Sequence, residues 1–230
     1  MALSLKFRRF GRSIYKILCA DRYVGFSYSQ LGEDRILREL FPRKHKGFYV
    51  DLGAYHPTHY SNTQLFHEQG WRGVNVDANP DTIKLFEKHR PEDVNLNVAV
   101  SNEPGRALFH RPTTGHSPYG TIDDGMKDHF SNESKMVSHE IESITINQIF
   151  SLHVPAEREV DLLNIDLEGM DEKIISSMDF SMKKPKVICV EIHNFDLNSP
   201  LQNEVYLKLT RSGYRLVAVC LATAIFQKCD

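Results

Sequence analysis

The chain has 230 residues, enough for one domain with a sizeable core, and 41% hydrophobic with 25% charged residues is the balance of a soluble globular protein. A formal net charge of -2 argues against a large nucleic-acid-binding face. The longest apolar run, 216–226, is too short to span a bilayer. The four cysteines, Cys19, Cys189, Cys220 and Cys229, have neither CxxC nor framework spacing, and read as free thiols of a reducing, cytoplasmic compartment.

Residues 1–28 form a basic amphipathic arm, with Lys6, Arg8, Arg9, Arg12 and Lys16 set between Leu3, Leu5, Phe7, Phe10, Ile14, Ile17 and Leu18. It lacks the uninterrupted apolar stretch and cleavage site of a signal peptide. A helix packed on the domain is the preferred reading, and peripheral membrane contact through 1–18 is the other. The folded domain is expected to fill 29–230.

Apolar spacing predicts a helix over 27–41. "GFYVDLG" (47–52 and its glycine) is a strand. "SNTQLFHEQG" (61–70) is a helix that Ser61 can cap and Gly70 can stop. "GVNVDANP" (73–80) is a strand ending at Asp77, and Pro80 suits the first turn of the helix that follows. "VNLNVAVSN" (94–102) is a third strand and "GRALFHR" (105–111) a fourth. The pattern vanishes over 112–135, a long glycine- and proline-bearing stretch that reads as a substrate loop. A strand near 138–144 and a helix from Thr145 follow. "VDLLNIDLEG" (160–169) is a buried strand ending in acids, before a helix over 170–178. "KVICVEIHN" (186–194) repeats the device. A helix at 201–212 and the strands "YRLVAVC" and "TAIFQK" close the chain.

Strands alternating with helices mean an α/β fold, a mostly parallel sheet covered on both faces. Ligands of open sheets bind beyond the carboxyl ends of the strands. Asp51, Asp77, Asp166 with Glu168, and Glu191 with His193 all fall at such ends and are expected on one rim. Gly53 permits a tight turn and close ligand approach. Asp77 follows it by 24 residues, the distance at which an acid can accept from both hydroxyls of a ribose. The turn Gly-Ala-Tyr-His-Pro holds one glycine, unlike the G-x-G-x-x-G that brings amides to a pyrophosphate, and Asp51 would repel that group. A cationic adenosine ligand without phosphate, S-adenosylmethionine (SAM), fits the pattern.

"FYVDLGAYHP", "SNTQLFHEQGWRGVNVDANP", "NVAVS", "LLNIDLEGMD" and "VICVEIHN", with "SQLGEDRIL" upstream, resemble the FkbM family of SAM-dependent methyltransferases over about residues 29–228. The resemblance implies a class I, Rossmann-like three-layer sandwich with a seven-stranded sheet closed by an antiparallel strand. It also implies O-methylation of a sugar, glycan or natural-product hydroxyl. It assigns Asp51, Gly53 and Ala54 to the methionine half of SAM and Asp77 to the ribose. It sets Ala78, Asn79, Val98 and Ala99 by the adenine. The chain departs at Pro57, where many members have glycine, and at "DANP", where many have Glu-Pro-Asn-Pro.

For the chemistry, Asp166, Glu168, Glu191 and His193 are the candidate catalytic residues. His56 is a further candidate base, with a structural hydrogen bond as its other reading. Of Asp166 and Glu168, one is expected to serve the site and the other to cap or orient. Asp166 with Glu191 and His193 or Asn194 could bind Mg²⁺, but a carboxylate pair without metal is preferred. His56, Tyr119 and Gln30 are candidate substrate contacts. His116, Asp123, Asp124, Ser29 and Asp34 are further suggestions for the pocket walls. Two other functions stay open: a metal-dependent glycosyltransferase using Asp166 and Glu168, and a non-catalytic SAM-binding module. No Asn/Asp-Pro-Pro-Tyr motif is present to hold a flipped base, so no nucleic-acid partner is expected.

Overall fold

A computed structural model describes residues 25–43, 45–113, 118–132 and 134–229. The membrane or packing role expected of 1–18, and the suggestion for His116, lie outside them. Among the described residues no helix is long and apolar enough to cross a membrane.

Ten strands and seven α-helices alternate along the described chain. The strands are β1 (Phe48–Leu52), β2 (Arg72–Val76), β3 (Val94–Leu96), β4 (Ala99–Val100), β5 (Gly105–Pro112), β6 (Met136–Ile144), β7 (Leu162–Ile165), β8 (Val187–Glu191), β9 (Tyr214–Cys220) and β10 (Thr223–Lys228). The helices are α1 (Glu33–Glu39), α2 (Gln64–Glu68), α3 (Pro80–His89), α4 (Asp124–Ser131), α5 (Ile146–His153), α6 (Asp171–Ser177) and α7 (Glu204–Arg211). Seven strands form one sheet in the order β3-β2-β1-β7-β8-β10-β9, with β10 antiparallel to both of its neighbours. This is the class I, Rossmann-like architecture with the expected antiparallel closing strand.

Alternation along β1 divides its side chains between two cores. Val50 and Leu52 join Val74, Val76, Leu163 and Ile165 under α5, α6 and α7. Tyr49 joins Leu162, Val187, Cys189 and Ile225 under Leu37, Phe66 and Trp71. Asp51 shares the face of Tyr49, two residues on, and so enters the second layer as a buried carboxylate.

Helix starts follow the side-chain chemistry. Asn79 accepts from the Asp81 amide and Pro80 opens α3. Thr145 and Gln148 form a capping box on α5. Asn203 caps α7. Ser61 lies ahead of α2, and its Oγ accepts from the Gln64 amide at 3.2 Å.

Two expectations are corrected. The segment 94–102 is not one strand. β3 ends the large sheet at Leu96, and β4 pairs with β6 in a second, three-stranded sheet of order β4-β6-β5. The break is fixed by Asp77, whose amide donates to Leu96 O at 3.1 Å and whose carbonyl accepts from Asn97 Nδ2 at 3.0 Å. Nor is 112–135 patternless. β5 runs to Pro112, β6 starts at Met136, and α4 lies between, capped by Asp123 through the Gly125 and Met126 amides.

Candidate functional site

β1 turns to β2 on one side, and the chain later crosses to β7 on the other. The crevice between β1 and β7 is therefore the switch point of the sheet, where ligands bind in folds of this kind. A cavity of about 570 Å³ opens there, beyond the strand ends.

β1 ends at Gly53, whose φ is +76°. A Cβ at this position would sit 1.7 Å from the Asp166 carbonyl oxygen. The Gly53 and Ala54 amides both donate to Val76 O, at 2.9 and 3.1 Å, which clamps the β1 turn onto β2. Asp51 stands beneath it. Its Oδ2 accepts from Thr63 Oγ1 at 2.6 Å and its Oδ1 from Asn164 Nδ2 at 2.9 Å. Burial pushes its pKa up, while the Thr63 bond, the Arg90 charge and the Asn164 bond oppose that rise.

Asp77 stands one residue past β2. Its Oδ2 accepts from the Tyr55 amide at 2.9 Å and its Oδ1 from the Asn79 amide at 2.7 Å. These bonds set the carboxylate across the two turns, and each oxygen keeps acceptor capacity toward the cavity. Burial raises its pKa to about 6 against the pull of those two bonds. Ala78, Asn79, Val98 and Ala99 complete this end of the lining.

The acids at and just past the ends of β7 and β8 line the cavity beside them. The expectation that Asp166 and Glu168 divide the work is corrected: both line the cavity, because the strand stops at Ile165 and Glu168 takes a φ of +48°. Asp171 does the orienting, accepting from the Leu167 amide at 3.0 Å and the Gly169 amide at 3.3 Å. Asp166 is exposed to the cavity and ringed by other acids. Desolvation, with the charges of Glu191 and Glu168, drives its pKa well above the usual carboxylate range. Glu168 is pushed up to about 8 by burial and then by Glu191 and Asp171. Burial also raises Glu191, and His193 opposes it, with Nε2 at 3.2 Å from Glu191 Oε2.

Glu168, Glu191 and His193 each offer a donor atom within 4.8 Å of the others, a set that could hold a cation. Asp166, which the sequence reading put with Glu191, is not among these three. The predicted contacts divide as well. Gln30 and Tyr119 line the cavity, and Tyr119 stacks on Phe130 with centroids 5.0 Å apart. His56 does not line it. Its Nδ1 accepts from the Thr58 and His59 amides at 3.1 Å, a turn-forming role. Asp123 caps α4 and pairs with Lys173 at 2.9 Å, a bond that lowers its pKa. Asp124 lies 3.2 Å from His110 Nε2. Asp34 is buried and accepts from Ser27 Oγ at 2.7 Å and the Tyr28 amide at 2.8 Å, while Ser29 Oγ accepts from the Asp34 amide.

Several lining residues had no sequence signal. Asn62 and Asn164 join through a 2.9 Å bond, Glu33 is 2% exposed, and Met126 and Phe130 come from α4. Only Asn164, two residues before Asp166 on an apolar strand, could have been flagged, as a polar break in a buried run.

The raised acids set a pH dependence. A carboxyl whose folded pKa lies above its unfolded value binds its proton more tightly when folded, so stability is full below the unfolded pKa and falls as pH rises through the folded one. For Glu168 that window runs from 4.5 to about 8. The ligand-free protein is expected to melt at lower temperature as pH rises across it, and Glu168→Gln to flatten the slope. Melting curves at pH steps check this, and parallel slopes for the two proteins would contradict it.

The methyltransferase FkbM domain model matches residues 51–216. No curated protein sequence matches the chain. A TehB-like SAM-dependent methyltransferase from Corynebacterium glutamicum ATCC 13032 Kitasato is a solved structure similar to it, at 12% identity, covering 99% of each chain with a TM-score of 0.42. The matched span runs from Asp51 through the acids of β7 and β8 into β9, so it contains the core of the cavity. The chain belongs to the FkbM methyltransferase domain family, an enzyme family whose cofactor is SAM.

Proposed function

We propose that this protein binds SAM in the β1–β7 crevice and methylates a hydroxyl of a sugar, glycan or natural product. The observation that carries the reading is the division of one cavity between two sets of carboxylates. Asp51 and Asp77 come from the ends of β1 and β2. Asp166, Glu168 and Glu191 come from the ends of β7 and β8, with the Asp166 backbone packed against Gly53.

The residues present fit the cofactor. The missing Cβ of Gly53 leaves room at the turn, and buried Asp51 suits the cationic amino-acid end. Asp77 can accept from ribose hydroxyls, and Val98 and Ala99 offer an apolar wall for the base. When bound, SAM supplies an electrophilic methyl group on a sulfonium. The chain has to align the acceptor hydroxyl and take its proton. We read Glu191 and His193 as the groups that take that proton, on the strength of their shared place at the cavity wall, with His193 Nε2 3.2 Å from Glu191 Oε2. Stacked Tyr119 and Phe130 on one wall, and stacked Tyr55 and Tyr60 on another, give flat faces for a polar ring. The test is calorimetric titration with SAM and S-adenosylhomocysteine beside NAD and a UDP-sugar. Binding of the first two alone is expected. Metal-dependent binding of the UDP-sugar without SAM would transfer the argument to a glycosyltransferase.

A cation at Glu168, Glu191 and His193 is the second reading, favoured by their convergence. The proton-acceptor reading predicts that chelator treatment leaves methyl transfer unchanged. Loss of activity restored by Mg²⁺ or Mn²⁺ would reassign the three residues as ligands.

A further inference from the structure

Arg90 follows α3 in a run of charged residues, where a solvent-exposed side chain is the ordinary expectation. It is instead 1% exposed. Nη1 donates to Thr63 Oγ1 at 2.9 Å, and to Tyr49 Oη and Asn75 Oδ1 at 3.3 Å each. Nη2 donates to Pro57 O at 2.6 Å, and to Ser61 Oγ and Gln64 Oε1 at 3.1 Å each. Three of these partners, Pro57, Ser61 and Thr63, lie on the segment between the Gly53 turn and α2. Thr63 then passes its own hydroxyl hydrogen to Asp51 Oδ2 at 2.6 Å. The guanidinium thus reaches the cavity floor through one hydroxyl, without lining the cavity itself.

We infer that Arg90 is a positioning residue for the cofactor, which acts through Thr63 to hold Asp51 ionised and fixed toward the cationic end of the ligand, and which rests on the SAM reading above. A buried carboxylate without a countercharge tends to protonate. Asp51 is 2% exposed, and its direct contacts, Thr63 and Asn164, are neutral. The titratable groups facing it from the surrounding elements are Tyr49 of β1, Asp93 after α3, Asp77 after β2, Asp166 after β7 and Cys189 of β8. None of these brings a positive charge, and among the described residues Arg90 is a cation that acts on Asp51. His67 lies one layer further out, 3.5 Å from Asp93. Removing the guanidinium leaves a cluster of acids around a desolvated carboxyl.

The experiment is SAM binding between pH 5.5 and 8.5 to the wild type, Arg90→Lys, Arg90→Gln and Thr63→Val, with melting curves for each. In Arg90→Gln the affinity is expected to fall about tenfold at neutral pH for each unit by which the Asp51 pKa rises above it. The loss should shrink as pH rises, because Asp51 then ionises unaided. Arg90→Lys keeps the charge and should recover a large part of the affinity. Thr63→Val keeps the arginine and the volume of the side chain, and should lose affinity through misplacement of Asp51. If Arg90→Gln does not fold, Arg90→Lys and Thr63→Val decide. Wild-type binding with pH profiles that superimpose in every folded variant, apart from a uniform offset, would reduce Arg90 to a structural residue and overturn the inference. No SAM binding by the wild type at any pH would instead remove the cofactor reading on which it rests.

Discussion

Gly53→Ala is expected to abolish SAM binding and to lower the melting temperature by about 6–20 °C. Two separate costs add. The φ of +76° is costly for any residue with a Cβ, by about 1–2 kcal/mol. The new methyl would also meet the Asp166 carbonyl oxygen at 1.7 Å, and backbone cannot swing away as a side-chain tip can. β1 and β7 must part, at the line where Asp51 faces Asn164. A total of about 3–5 kcal/mol follows, and a chain of this size loses about 2–4 °C per kcal/mol. Gly32→Ala is the control. Its φ is +93°, but a Cβ there meets nothing within 4 Å, so only the backbone cost remains. Thermal melts and calorimetry of both variants check this. A Gly53→Ala protein that melts within about 2 °C of the Gly32→Ala protein would contradict the overlap argument.

The second large effect is expected at Asp77. Asp77→Ala should weaken SAM binding by about 100-fold or more. A hydrogen bond to a charged acceptor contributes about 1.5–3 kcal/mol, and a ribose can donate two. Part of the loss comes from the protein itself, because the carboxylate also holds the Tyr55 and Asn79 amides. The wild type has a related signature. With a pKa of about 6, Asp77 becomes protonated as pH falls through that value, one oxygen stops accepting, and affinity should decline. Calorimetry at pH 5 and pH 7.5 reads both effects. An Asp77→Ala affinity within threefold of the wild type would place the ribose elsewhere.

Much of this molecule was determined by the sequence itself. Apolar runs ending in acids at Asp51, Asp77, Asp166 and Glu191 fixed which strands are buried and which ends carry the chemistry. Period-2 and helical spacing are local properties, and local properties survive in one dimension. The tertiary structure alone decided four things. It split 94–102 between two sheets, because strand propensity is the same for either partner and the Asp77 contacts choose the break. It folded α4 from a stretch of mixed pattern, because Thr121 binds the Glu168 carbonyl at 2.8 Å and Lys173 binds Asp123, and both partners lie about 50 residues away in the chain. It buried Arg90 against Thr63, Pro57 and Ser61, and turned His56 into a turn former. The charge of a side chain is written in the sequence, but its solvation and its partners are set by residues distant in the chain, and those decide whether a charged group binds a ligand, steadies another group or only shapes a turn.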